Sequence, residues 1–125
     1  IVWDLGTATT LDAVDADGRH LGGWILPGPA TMLDALVRRT KLKVPEELTQ
    51  AGPIEPGRAT AECIRRGVLA AQAGALEQFT KSLGARLGDN SRLIVTGGAA
   101  PATVERLGID CVPDPLLVFR GMLVE

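Results

Sequence analysis

The dipeptide Asp17-Gly18 separates residues 9–15, in which apolar and polar residues alternate, from residues 20–26, which read as a returning strand. Alternation at period two marks a half-buried strand. Asp-Gly between two strands is a strong hairpin signal, because both residues tolerate the positive φ of a type I′ turn. A hairpin near the start argues against an all-parallel sheet. Before it, Ile1-Val2-Trp3-Asp4 is apolar and runs into Leu5-Gly6-Thr7, a further strand entering a tight turn. This opening has no Met and no polar lead-in and reads as the middle of a buried strand. The sequence is therefore expected to be a fragment, with residues upstream of Ile1. Gly22 and Gly23 in the third strand mark a bulge or a close backbone approach.

Helical spacing takes over afterwards. Met32, Leu33, Leu36 and Val37 predict a helix over residues 30–39, with Arg38 and Arg39 opposing the macrodipole in its last turn. Residues 41–57, rich in Pro and Gly, read as a loop. Residues 60–87 form the longest periodic segment, with Ile64, Val68, Ala71, Ala75, Phe79 and Leu83 on one stripe. Gly67 and Gly74 interrupt it at a cost of roughly 1 kcal/mol each relative to Ala, which predicts tight packing there. A short strand over 93–96, a helix over 101–107, a strand at 111–112 and a helix over 115–123 follow. Asp114 is the expected cap of the last helix, with Pro115 at its first position. The order predicts an α/β lobe, a mixed β-sheet with flanking helices. The size, 125 residues with 46% apolar and 22% charged, suits one core.

Several function classes fall away. A formal net charge of -2 leaves no basic face for nucleic acid. No apolar run is long enough to cross a bilayer, and no signal-peptide pattern is visible. Cys63 and Cys111 lack metal-type spacing and read as two buried thiols in a reducing compartment. The single histidine, His20, reads as a surface or packing residue. Asp12 and Asp15 fall on opposite faces of a strand, so a paired-carboxylate hydrolase is not supported.

Asp4-x-Gly6-Thr7-x-x-Thr10 is the most informative stretch. A carboxylate at a strand end, a glycine turn and two hydroxyls can hold a phosphate and a cation together. The same residues also make an ordinary polar hairpin. Thr96-Gly97-Gly98 follows a buried strand and precedes a helix, where two glycines let a flat ligand approach the backbone. They also suit a turn that needs positive φ. Thr60 stands at the start of the long helix, as a ligand contact or as an N-cap. Pro27-Gly28 by itself is a turn.

Taken together and in order, these blocks carry a resemblance. Residues 4–12 (Asp-Leu-Gly-Thr-Ala-Thr-Thr-Leu-Asp) come first, then Gly18-x-x-x-Gly22-Gly23-x-Ile25-x-Pro27-Gly28 and Thr40-x-Leu42. Thr60-x-x-x-Ile64-x-x-Gly67, Val95-Thr96-Gly97-Gly98 and Pro113-Asp114-x-Leu116-x-x-x-x-Gly121 follow. The series resembles the C-terminal part of type III pantothenate kinase over almost the whole chain.

The resemblance implies a ribonuclease-H-like lobe of the actin-like ATPase superfamily over residues 1–125, with the N-terminal lobe absent. It implies transfer of the γ-phosphoryl of ATP to pantothenate, the first step of coenzyme A synthesis, in the cytoplasm. It implies magnesium and a monovalent cation, potassium or ammonium, and a homodimer with the active site at the subunit interface. By motif, Asp4 matches the cation-binding carboxylate, Gly6 and Thr7 the ATP-contacting turn, Gly97 and Gly98 the glycine pair near the nucleotide, and Thr60 a pantothenate contact. The family's Asp-x-Gly-Asn loop and its Gly-x-Asp-Arg motif, which carries the general base, are not in this sequence, so no catalytic residue is named. This chain alone is expected to be inactive. The alternative is a non-catalytic regulatory or ligand-binding relative with the same fold.

Overall fold

A computed structural model describes residues 1–42 and 55–124. Strands β1 (Val2–Leu5), β2 (Ala8–Val14) and β3 (His20–Pro27) form the expected meander. Helices α1 (Pro29–Arg39) and α2 (Thr60–Leu83) follow, then a 3-10 turn (Gly84–Leu87). Strand β4 (Ile94–Thr96), helix α3 (Ala100–Leu107), strand β5 (Val112–Pro113) and helix α4 (Leu117–Met122) complete the chain. The loop expected over 41–57 falls mostly outside the described residues.

The five strands form one mixed sheet in the order β3-β2-β1-β4-β5. β2 is antiparallel to both β1 and β3, while β4 is parallel to both β1 and β5. Parallel neighbours require a crossover connection. The helices α1 and α2 lie within the first crossover and α3 within the second.

Alternation sends Trp3, Leu5, Leu11, Ala13 and Val95 to one face, where Leu76, Phe79 and Leu83 of α2 and Ala100 of α3 close the core over them. Trp24 meets Phe79 edge-on, with ring centroids 5.3 Å apart. Burying an aromatic or a leucine of this kind contributes roughly 1.5–3 kcal/mol. The same alternation assigns Val2, Asp4, Thr10 and Thr96 to the other face.

Several local expectations are corrected. The hairpin is not type I′, because no non-glycine among the described residues has positive φ, and only Gly18 does so in the turn. The Asp15 carboxylate instead accepts from the N–H groups of Asp17 (2.9 Å) and Arg19 (2.8 Å), an Asx-type turn. The bulge is present: Ala13 pairs with Gly22 and Val14 with His20, which leaves Leu21 as the extra residue. The buried face of α2 is Val68, Leu69, Gln72, Leu76, Phe79 and Leu83, while Ala71 is exposed. Alanine is compatible with either side of a helix, so its place in the apolar stripe does not fix the buried face. Tight packing at Gly67 and Gly74 is not found, since a Cβ at either would meet nothing within 4 Å.

Cys63 is exposed rather than buried, and its thiol donates to the Gly57 carbonyl at 3.2 Å. Cys111 is half-buried, and burial, with Asp110 adding to it, pushes its thiol up. His20 is on the surface, 2.8 Å from the Asp12 carboxylate. α4 starts at Leu117, later than expected, with Leu116 at its N-cap. The Asp114 carboxylate closes the preceding turn instead, accepting from the Leu116 N–H at 3.1 Å.

Candidate functional site

β1 and β4 run in parallel at the centre of the sheet, so their C-terminal ends open on the same edge. Asp4 is third in β1, and its register partners are Thr10 on β2 and Thr96 on β4. The carboxylate is therefore flanked by two threonines on the sheet face away from the core. Asp4 is half-buried and Thr96 buried.

The turn leaving β4 closes directly over Asp4. Gly97 has φ +98°, and a Cβ there would stand 2.5 Å from the Asp4 carboxylate and 2.6 Å from the Leu5 carbonyl oxygen. Only glycine fits both the conformation and the space. The Ala99 N–H donates to the Leu5 carbonyl at 3.0 Å, which stitches the two turns together. Gly98 is exposed, with open space around it.

The turn leaving β1 is held from the other side. The Thr7 carbonyl accepts from the Gly28 N–H (2.9 Å) and from the Thr31 hydroxyl (2.6 Å). A Cβ on Gly28 would run into the Gly6 carbonyl. Pro27-Gly28, which the sequence offers only as a turn, is thus a wall of the site. The Gly6 N–H donates to the Ala8 carbonyl at 3.0 Å and is spent within the turn. Thr7 itself is exposed.

The structure therefore brings Asp4, Gly6, Thr7, Gly97 and Gly98 to one edge of the sheet. Thr60 is the exposed first residue of α2, twelve residues of helix, about 18 Å, before Gln72, the α2 residue that touches the root of the turn. It is not the N-cap: Ala59 holds that position, and the Glu62 carboxylate reaches back to the Arg58 N–H at 3.1 Å.

Two spaces adjoin this edge. A cavity of about 440 Å³ lies between α3, β4 and β5, bounded by Thr96, Gly97, Ala100, Val104, Cys111 and Pro113. A groove of about 450 Å³ lies between α1 and α2, bounded by Thr31, Met32, Leu36, Cys63, Ile64 and Gly67. Among the described residues, no group of three or more His, Cys, Asp or Glu side chains is placed to hold a metal ion. A cation at Asp4 would draw its remaining ligands from hydroxyl, carbonyl, water or phosphate oxygens.

Sequence reading missed one buried pair. Gln72 and Thr9 are both fully buried, and the Thr9 hydroxyl donates to the Gln72 side-chain oxygen at 2.8 Å. The available signal was a lone amide spaced four residues from Val68 and from Leu76, inside an apolar stripe.

Residues 1–82 match the profile of a family described as type III pantothenate kinase. A type III pantothenate kinase of Methylibium petroleiphilum is 43% identical over 119 residues, covering 94% of this chain and 45% of the relative. One from Ectopseudomonas mendocina is 38% identical, covering 99% of this chain and 51% of the relative. This chain thus spans about half the length of the curated relatives it matches. The crystal structure of a conserved putative Baf family transcriptional activator from Campylobacter jejuni superposes with a TM-score of 0.70 at 27% identity, over 98% of this chain and 54% of that one. By sequence, the chain belongs to the type III pantothenate kinase family.

Proposed function

We propose that the complete protein transfers the γ-phosphoryl group of ATP to pantothenate, giving 4′-phosphopantothenate. The observation that carries this reading is the meeting of Asp4 with the two glycine turns, Gly6-Thr7 and Gly97-Gly98, in a chain of this family. Phosphoryl transfer needs a positioned nucleotide and neutralised charge more than it needs covalent chemistry from the protein. In this reading Asp4 holds a cation against the phosphates, potassium or ammonium besides magnesium. A single carboxylate among neutral oxygens suits a weakly charged ion. Thr7 and Gly6 contact the phosphates from one side. Gly97 and Gly98 let the nucleotide lie close to the backbone, beside the largely apolar cavity under α3.

The strand order, with an antiparallel meander followed by parallel β4 and β5, supports a ribonuclease-H-like lobe of the actin-like ATPase superfamily over residues 1–125. Thr60 is the pantothenate contact in this reading. Its exposure at the first position of α2 leaves it open to substrate and to a second copy in a homodimer. A kinase that draws on ATP for the first step of coenzyme A synthesis works in the cytoplasm. No helix among the described residues is long and apolar enough to cross a membrane.

The likeness to the Campylobacter jejuni protein, a putative transcriptional activator, favours a second reading, a regulatory relative without the chemistry. One assay separates the two. The complete protein is given ATP and pantothenate with and without potassium or ammonium, and product is measured. Cation-dependent 4′-phosphopantothenate supports the kinase, and no product under any cation supports the regulator.

A further inference from the structure

We propose that Gln72 is a positioning residue for the turn over residues 4–7, acting through Thr9 and Pro27; its effect on nucleotide use rests on the kinase reading above. Gln72 is fully buried in the middle of α2, between Val68 and Leu76. A primary amide in such a place costs free energy unless its hydrogen bonds are made. Here both ends are used. The side-chain oxygen accepts from the Thr9 hydroxyl at 2.8 Å, and the side-chain nitrogen donates to the Pro27 carbonyl at 3.0 Å. The nitrogen also approaches the Met32 sulfur at 3.5 Å.

The two main anchors have a shared meaning in the fold. Thr9 is the second residue of β2, just after the Gly6-Thr7 turn, and Pro27 is the last residue of β3, just before Gly28. Gly28 is the residue whose N–H binds the Thr7 carbonyl and whose backbone abuts Gly6. One side chain from the helix therefore ties together the roots of the turn and of the wall behind it. An apolar residue would fill the same stripe and serve packing alone. A satisfied buried amide instead fixes one arrangement of the groups it joins.

The test compares Gln72→Leu with the double variant Thr9→Val/Gln72→Leu in the complete protein. Gln72→Leu leaves the Thr9 hydroxyl buried without its partner and lowers the melting temperature. The double variant replaces both side-chain partners with apolar groups of similar shape, so the melting temperature returns toward wild type. The tether is absent from both. Amide hydrogen exchange at Gly28 is expected to accelerate at least about tenfold in the double variant, with Ile94 and Val112 on the far strands unchanged. kcat/KM for ATP is expected to fall roughly 10- to 100-fold, with the KM for pantothenate little altered. A purely structural Gln72 predicts that melting temperature, exchange at Gly28 and ATP use recover together, and that result overturns the proposal. Unchanged exchange at Gly28 overturns it too. Should the wild-type protein make no 4′-phosphopantothenate, the kinase reading fails separately, and exchange at Gly28 still decides whether Gln72 sets the turn.

Discussion

Gly97, in the turn that leaves β4, lies so close over Asp4 of β1 that a Cβ on Gly97 would stand 2.5 Å from the Asp4 carboxylate. That Cβ would also stand 2.6 Å from the Leu5 carbonyl carbon and oxygen, which are backbone and cannot swing aside. Gly97→Ala therefore combines a left-handed φ with a backbone overlap. Its expected cost is roughly 2–4 kcal/mol of stability, read from thermal or denaturant unfolding. Gly98→Ala, with open space around it, is the control and should melt close to wild type. Equal melting temperatures for the two variants would show that the close approach is not made.

Asp4→Asn keeps the shape of the side chain and removes its charge. A carboxylate gives a cation a full charge, whereas an amide gives only a dipole. In the complete protein the substitution should lower kinase activity sharply and weaken its dependence on potassium or ammonium. Titrating activity against each cation is the measurement. An unchanged response curve would remove Asp4 from the site.

The meander was legible because alternation and Asp17-Gly18 are local signals, and so were α1, α2 and α3, whose periodicity is local too. The turn type was not, because the Asp15 side chain competes with the backbone for the same N–H groups. In the candidate site, Asp4, Gly6 and Thr7 were legible as one motif, and Gly97-Gly98 as another. That the two motifs touch was not written locally, since it depends on β1 pairing in parallel with β4 across more than eighty residues. Gly28 looked like punctuation because its partner, the Gly6 carbonyl, is more than twenty residues away. Gln72 was hidden for the opposite reason: a helix period reports which residues face inward, and a polar residue there is read as an interruption.

The start of α2 carries a pH dependence. Hydrogen bonding from the Arg58 backbone N–H holds the Glu62 carboxyl below the ordinary glutamate value, with burial opposing and Arg66 adding to the depression. A carboxyl whose folded pKa is depressed binds fewer protons folded than unfolded, so its contribution is present above the ordinary value and is lost as pH falls through the depressed one. Glu62→Gln removes that linkage. Melting curves of both proteins across the acid range should therefore converge as pH falls, with the wild type the more stable of the two above the ordinary glutamate value. Parallel curves would show that Glu62 does not anchor the helix start.

Thr60 offers the cleanest separation of binding from folding, because the structure removes the competing role. Were Thr60 the N-cap of α2, losing its hydroxyl would cost roughly 1 kcal/mol of stability. The N-cap is Ala59, without a side-chain hydrogen bond, and Thr60 is exposed at the first helical position. Thr60→Val keeps volume and branching and removes one hydroxyl. In the complete protein its melting temperature should stay close to wild type. If the hydroxyl contacts pantothenate, one lost hydrogen bond weakens that substrate by about 0.5–1.5 kcal/mol, a rise of roughly 2- to 13-fold in KM, with the KM for ATP unchanged. Such a rise does not by itself say which copy Thr60 serves, and a mixing experiment does. Mixing Thr60→Val with Asp4→Asn protein restores one intact site per heterodimer if the two residues act across the subunit interface. Were they to act within one subunit, the Asp4→Asn subunit would contribute nothing, and the pantothenate KM of the mixture would remain that of Thr60→Val.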